Sequence, residues 1–169
     1  ESLKFALRLP MRAPYLIDDM ARDTLALLDA LHLARPHLVG ASMGAMIAQN
    51  LAAHFPERVA SLTSIMSTTG RRSLPNPTWR ARRAILHKPA ARGDHEGATR
   101  LFMDTLRAIS SRTHPPDEAW LRDVCERHIR RSHHPAGLAR QLVAIAASGD
   151  RSPVVRTIKA PTLVLHGRE

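Results

Sequence analysis

The sequence predicts an α/β fold, a parallel sheet in which one connection between strands is an all-helical insertion. Three observations carry this reading. A strand, a helix and a second strand follow one another across residues 37–66, helical patterning alone fills 67–156, and an apolar strand, Pro161–His166, closes the pattern. A strand, helix and strand of that length make a βαβ unit, with parallel strands and a right-handed crossover.

The elements follow in order. Residues 1–15 leave two readings open, since Leu3, Phe5 and Leu7 suit a short helix while Pro10 and Pro14 force an extended exit. A helix is expected from Asp18 to Leu33. Asp18 and Asp19 sit where a helix N-terminus favours negative charge, and Ala21, Leu25, Leu28 and Leu31 recur at helical spacing. After Pro36, His37-Leu38-Val39-Gly40 reads as a central parallel strand, buried on both faces. From Met43 to Phe55 the residues Met43, Ile47, Leu51 and Phe55 fall at i+4, Ala45, Ala48 and Ala52 keep another face small, and Pro56 ends the helix. Residues 59–66 (VASLTSIM) are apolar and partly β-branched, as a strand requires.

Beyond Ser67 a Pro-rich hinge, Leu74-Pro75-Asn76-Pro77, opens the helical stretch, with helices expected over 78–88, 95–111, 117–132 and 135–148. Three of them carry apolar stripes: Phe102, Leu106 and Ile109; Leu121, Val124, Cys125 and His128; Leu138, Leu142 and Ile145. Asp123 with Arg127 and Glu126 with Arg130 are i,i+4 pairs of a solvated face. A connection of roughly eighty residues in a compact fold usually serves function, so it reads as a lid on the sheet. Met103, Trp79, Trp120 and Phe102 are candidates to line an apolar pocket there, and equally to form the core of the helical segment. The chain therefore divides into a sheet core at 1–70, a helical cap at 71–156 and a return to the core at 157–169.

Composition limits the function classes. With 44% hydrophobic and 24% charged residues in 169, the chain resembles an ordinary globular domain and not a disordered one. Its net charge of +10 raises the question of a nucleic-acid partner. Against this, aromatic residues are only 4%, which leaves little to stack bases on, and the basic residues are interleaved with acids. The lone cysteine, Cys125, excludes an internal disulfide and a Cys-rich zinc site, reads as a small buried hydrophobe and fits a reducing cytoplasm. No apolar run approaches the ~20 residues of a membrane span, and the first ten residues lack the parts of a signal peptide. No nucleic-acid, membrane, metal or cofactor partner is expected. The chain begins without Met and reads as part of something longer.

The strongest chemical signal is Gly40-Ala41-Ser42-Met43-Gly44, a G-x-S-x-G between an expected buried strand and an expected helix. A Ser in so sharp a turn has a strained backbone that lifts its hydroxyl above the sheet edge, and Gly40 and Gly44 are expected to spare the Cβ atoms that would strike strand and helix. The Met43 N–H lies at the helix N-terminus, where unpaired donors and the macrodipole favour negative charge, and becomes one arm of an oxyanion hole. The bland alternative is a Ser that caps an ordinary helix.

The segment HLVGASMGAMIAQNLAAHFPERVASLTSIMSTTG resembles the nucleophile-elbow region of the α/β-hydrolase superfamily. SIMSTTG is similar to a bacterial small-molecule esterase group with aclacinomycin methylesterase-like and cofactor-free haloperoxidase-like members. The close resemblance covers residues 16–70 and 157–169. It implies the α/β-hydrolase fold with an all-helical cap at 71–156, Ser42 as nucleophile and Met43 as an oxyanion donor. It also implies an H-G-x-x-D pattern after the last strand, which His166-Gly167-Arg168-Glu169 matches up to the residue before the Asp. The resemblance further implies an oxyanion loop before the first helix and a catalytic His late in the chain. Neither these nor the acid is found in residues 1–169, so the core is expected to be incomplete by roughly sixty residues at each end. Epoxide hydrolases and haloalkane dehalogenases carry Asp where Ser42 stands and are disfavoured.

None of the ten histidines reads as the base. His54 lies about three turns along the elbow helix and His37 at the opposite end of its strand; His87, His95, His114, His128, His133 and His134 fall in the helical segment, and His166 is expected to pack at a strand end. His128, His133 and His134 lack an acid or Cys at metal-ligand spacing. Glu169 stands one residue early for the acid. The expected function is hydrolysis of small apolar esters through an acyl-enzyme. Lactone hydrolysis or haloperoxidase-like perhydrolysis by the same Ser, and a catalytically silent Arg-rich binding fragment, stay open as alternatives.

Overall fold

Three strands, β1 (His37–Ala41), β2 (Ser61–Ile65) and β3 (Thr162–Leu165), form a parallel sheet in the order β1-β2-β3. The computed structural model describes residues 12–75 and 77–167; the readings for residues 1–11, Asn76, Arg168 and Glu169 lie outside them. Gly40 is in register with Ser64, and Ser64 with Val164, so the three strands end together at their C-terminal edge.

Helices α1 (Ile17–Ala30) and α2 (Met43–His54) pack on this sheet. The i+4 stripes explain the core. Ala21 and Leu28 of α1 meet Ala48, Leu51 and Ala52 of α2, with Val59 and Leu62 completing the cluster. Leu51, Val59 and Leu62 are within 1% of complete burial, each contributing about 1.5–3 kcal/mol. The small face of α2 lets it lie close against the strands.

Two expectations need correction. The first helix ends at Ala30, not Leu33, because His32 turns left-handed (φ 54°) and the His32 and Leu33 N–H groups bond back to Asp29 O and Leu28 O. This closing turn satisfies the last carbonyls and leaves Leu31 and Leu33 exposed. β1, expected buried on both faces, is covered on one among the described residues. Gly40 is buried, whereas Val39 is 71% exposed on the face away from α1 and α2.

The helical stretch contains α3 (Trp79–Ile85), α4 (His95–Ile109), α5 (Glu118–Arg131) and α6 (Pro135–Ala147), followed by α7 (Ser152–Val155), a short helix that periodicity does not reveal. The described residues form two compact units, one of 12–74 with 140–167 and the other of 75–139. In the second unit, α3, α4 and α5 each start on a side-chain cap: Thr78 accepts from Ala81 N, Asp94 from Gly97 N and Asp117 from Trp120 N.

The core of that unit joins Met103, Leu121 and Cys125, with Phe102 and Leu106 packed against them. Its stripes are offset from those expected. Met103 is buried while Ile109 is exposed, and Ile129 is buried while His128 is exposed with its ring 4.8 Å from that of Phe102, since the buried face follows Leu121, Cys125 and Ile129 at i+4. In α6, Ala144 is buried and Leu138 exposed. The Asp123–Arg127 and Glu126–Arg130 pairs are present at 2.7 and 3.4 Å, and Arg107 grips Glu118 through Nε and Nη2.

Candidate active site

Ser42 joins β1 to α2 at the C-terminal edge of the sheet, where a parallel sheet gathers functional loops. Its backbone has φ 52° and ψ −118°, a conformation that costs a non-glycine residue about 1–3 kcal/mol and persists only when its surroundings enforce it. They do. The Ser42 N–H continues the ladder to Ile65 O at 2.9 Å, and its carbonyl accepts from Ala45 N at 3.1 Å, Met46 N at 3.2 Å and Ser67 Oγ at 2.8 Å. Although Ser is a favoured capping residue, the hydroxyl of Ser42 makes no capping bond to α2. Ser42 is thus not a side-chain cap of α2. Ser42 is exposed.

The glycines differ in role. A Cβ on Gly40 would stand 2.5 Å from Gly44 O and 2.6 Å from Ala45 N and Cα, all backbone atoms, so only glycine allows β1 and α2 to approach this closely. At Gly44 a Cβ meets nothing within 4 Å. The expected need for room at Gly44 is thus corrected: its Cα faces open space among the described residues. Met43 is the first residue of α2, a position whose N–H has no carbonyl within the helix to bond.

His37, at the other end of β1, lies 2.7 Å from Ser61 Oγ, and His54, at the far end of α2, pairs with Asp18 at 3.2 Å. His166 follows β3 at the same sheet edge as Ser42. It was expected to pack but is exposed, with Nδ1 2.9 Å from Gly167 O, because the strand before it is exposed throughout. His87 sits between Thr105 Oγ1 and Lys88 O, and His95 lies edge-on to His133. Among the described residues no cluster of three or more His, Cys, Asp or Glu is placed to hold a metal ion. Of the apolar candidates in the helical unit, Met103 is core and Phe102 packs beside it, whereas Trp79 and Trp120 are 77% and 59% exposed.

Residues 8–169 match the family model described as the alpha/beta hydrolase fold. The chain belongs to the α/β-hydrolase fold family. Along 92% of its length it is 29% identical to 3-oxoadipate enol-lactonase 2 of Acinetobacter baylyi, covering 54% of that protein. A stretch of 53 residues, 31% of the chain and 18% of the relative, is 45% identical to the rhodomycin D methylesterase DauP of a Streptomyces species. The crystal structure of the enol-lactonase from Burkholderia xenovorans LB400 superposes with a TM-score of 0.61 at 25% identity, over 95% of this chain and 58% of that one. The chain thus spans about half the length of the relatives that it matches along most of its own.

One residue of this α/β-hydrolase unit escapes a reading of the sequence. Arg151, just before α7, is 5% exposed and donates from Nη1 to Met46 O, Gln49 Oε1 and Asn50 Oδ1 and from Nη2 to Thr68 O. Burial pulls its pKa down to about 10, while neighbouring Asp150 opposes the shift, so the guanidinium is charged at neutral pH. Asp150 is held below the usual carboxylate range by hydrogen bonds from Ser152 and by the charges of Arg71 and Arg156. Within a chain so rich in arginine, nothing in the order of residues singles out Arg151. The only local hint is its place between Gly149 and Pro153, where backbone turns bring distant segments together.

Proposed function

We propose that the protein is a serine hydrolase of small apolar carboxylic esters, with Ser42 as its nucleophile. The observation that carries this reading is the left-handed Ser42 turn at the strand-to-helix junction, whose hydroxyl is exposed and free of the capping bond. The turn's backbone strain is retained with no gain to the helix cap, as expected of a residue selected for reactivity.

In the proposed reaction Ser42 Oγ attacks the acyl carbon, its proton passes to a general base, and the carbonyl π electrons move to oxygen. The Met43 N–H at the start of α2 then donates to that oxyanion, aided by the helix dipole. Collapse expels the alcohol, which takes the proton back, and leaves an acyl-Ser42 that water hydrolyses. The base and its orienting acid are assigned to residues outside 12–167. His37 and His54 are engaged at the far ends of their elements, which supports that assignment. No cofactor enters the scheme.

The helical segment, read as 71–156 from the sequence, is proposed as a cap that sets acyl-chain preference. Replacing it with a relative's cap should change that preference while acetate esters continue to turn over. A reducing cytoplasm is the proposed location, supported by a free cysteine in the core; no helix among the described residues is long and apolar enough to cross a membrane.

A second reading is hydrolysis of a lactone, a cyclic ester open to the same attack. It is favoured by the relative aligned along 92% of the chain, an enol-lactonase. Assays of the full-length protein on p-nitrophenyl acetate and on a five-membered lactone separate the two. Ser42→Ala should abolish whichever activity is present, and activity retained at the wild-type rate would refute the nucleophile.

A further inference from the structure

Arg151 is a buried cation whose contacts are neutral oxygens, and no ion pair among the described residues includes it. A charge withdrawn from water in this way is costly, and its retention needs several well-placed acceptors. The acceptors come from two segments that both hold Ser42. On one side are Met46 O at 3.1 Å, Gln49 Oε1 at 3.0 Å and Asn50 Oδ1 at 3.2 Å, all on α2. On the other is Thr68 O at 2.5 Å, with the Arg151 N–H adding a bond to Thr69 O at 2.8 Å.

The two segments close a ring on the elbow. Met46, whose carbonyl faces the guanidinium, donates its N–H to Ser42 O; Ser67, adjacent to Thr68, donates its hydroxyl to the same oxygen. Gln49 passes the contact to the middle strand through Nε2 to Ser64 Oγ at 3.0 Å. The approach of the two loops is fixed as well. Thr69 Oγ1 lies 2.9 Å from Ser152 Oγ, and Gly70 (φ 81°) has no room for a Cβ beside the Gly149 carbonyl.

We propose that Arg151 is a positioning residue for Ser42, a brace that locks the first turns of α2 to the loop after β2 and so fixes the angle at which the Ser42 hydroxyl is presented. The proposal rests on the reading of Ser42 as the nucleophile. A planar guanidinium has five N–H donors fixed in a fork and reaches both segments together; an ammonium has three donors at one point and cannot span them.

The test uses the full-length protein, with Arg151→Lys, Arg151→Ala and Ser42→Ala, assayed well below each variant's unfolding temperature. Readouts are kcat and KM on p-nitrophenyl acetate, or on the lactone where that is the substrate, and the rate of labelling by a fluorophosphonate. For Arg151→Ala we expect kcat and labelling to fall about 10- to 100-fold, as for an angstrom-scale misplacement of a reacting group, with KM changed less than about 2-fold. Guanidinium at tens of millimolar should restore part of kcat, and Arg151→Lys should lie between alanine and wild type. Should the alanine variant fail to fold, the lysine variant carries the test, with a fall in kcat at unchanged KM in folded protein. Unchanged kcat in a folded variant, or a loss that tracks only the unfolded fraction and resists guanidinium, would overturn the proposal. Labelling or turnover that survives in Ser42→Ala would overturn the Ser42 reading and this one with it.

Discussion

The hydroxyl of Ser67 donates to the carbonyl oxygen of Ser42 at 2.8 Å, so the loop after β2 holds the turn that follows β1. The bond leaves the Ser42 side chain untouched while restraining its backbone. Ser67 is half-buried but its bond to Ser42 lies at an exposed site where water can replace the hydroxyl, so Ser67→Ala should cost only about 0.5–1.5 kcal/mol of stability. Because the restrained backbone carries the candidate nucleophile, kcat should fall more than that small loss of stability implies. Urea unfolding paired with steady-state kinetics checks both; a kcat equal to wild type would mean that the turn holds without Ser67.

The two glycines of the elbow should respond in opposite ways. Gly40→Ala forces a Cβ onto backbone atoms of Gly44 and Ala45, and should destabilise by about 2–3 kcal/mol. Gly44→Ala enters open space within α2, and should leave stability unchanged or raise it by up to about 1 kcal/mol through helix propensity. Urea denaturation midpoints of the two variants give the comparison, and equal losses would contradict the geometry.

Cys125 has no exposed surface and its thiol pKa is raised by burial, which outweighs the opposing charge of Arg107. The native thiol should therefore react with an aromatic disulfide reagent only as the helical unit opens, at a rate that rises with denaturant. Rapid stoichiometric labelling without denaturant would show that the Met103, Leu121 and Cys125 core is not packed as described.

Asp150 supplies a pH dependence of definite sign. Its carboxylate accepts from Ser152 N at 2.8 Å, and its folded pKa lies below the ordinary 3.8. A depressed acid contributes stability that is fully present above the unfolded value and is lost as pH falls through the folded one. Wild type should exceed Asp150→Asn in stability at neutral pH, and the difference should shrink as the solution is acidified below the ordinary value. Denaturation of both proteins across acid pH tests this, and a difference that grows on acidification would reverse the sign.

Much of the sheet core is legible in the sequence because its signals are local. The alternation of Pro36, the run from His37, the i+4 stripe of Met43, Ile47 and Leu51, and Pro56 delimit β1 and α2 without knowledge of their neighbours. Ser42 is singled out as a candidate for the same reason, since a G-x-S-x-G is contiguous. Side-chain facing in the helical segment is less legible. The choice between His128 and Ile129 or between Ile109 and Met103 is settled by which helix lies alongside, not by the helix's own period. Arg151 is the extreme case. Its partners at Met46, Gln49, Asn50 and Thr68 are more than eighty residues away, all four contacts are to carbonyl oxygens of backbone or amide, and a one-dimensional pattern holds no trace of them.

The most direct test of the account is to find which residue a hydrolase-directed probe modifies. The full-length protein is treated with a fluorophosphonate, digested, and the phosphonylated peptide sequenced by mass spectrometry. A single adduct is expected on Ser42 Oγ, absent from the Ser42→Ala variant, with loss of hydrolysis in proportion to labelling. An adduct on another residue, or a Ser42→Ala variant that is labelled and active as the wild type, would contradict it.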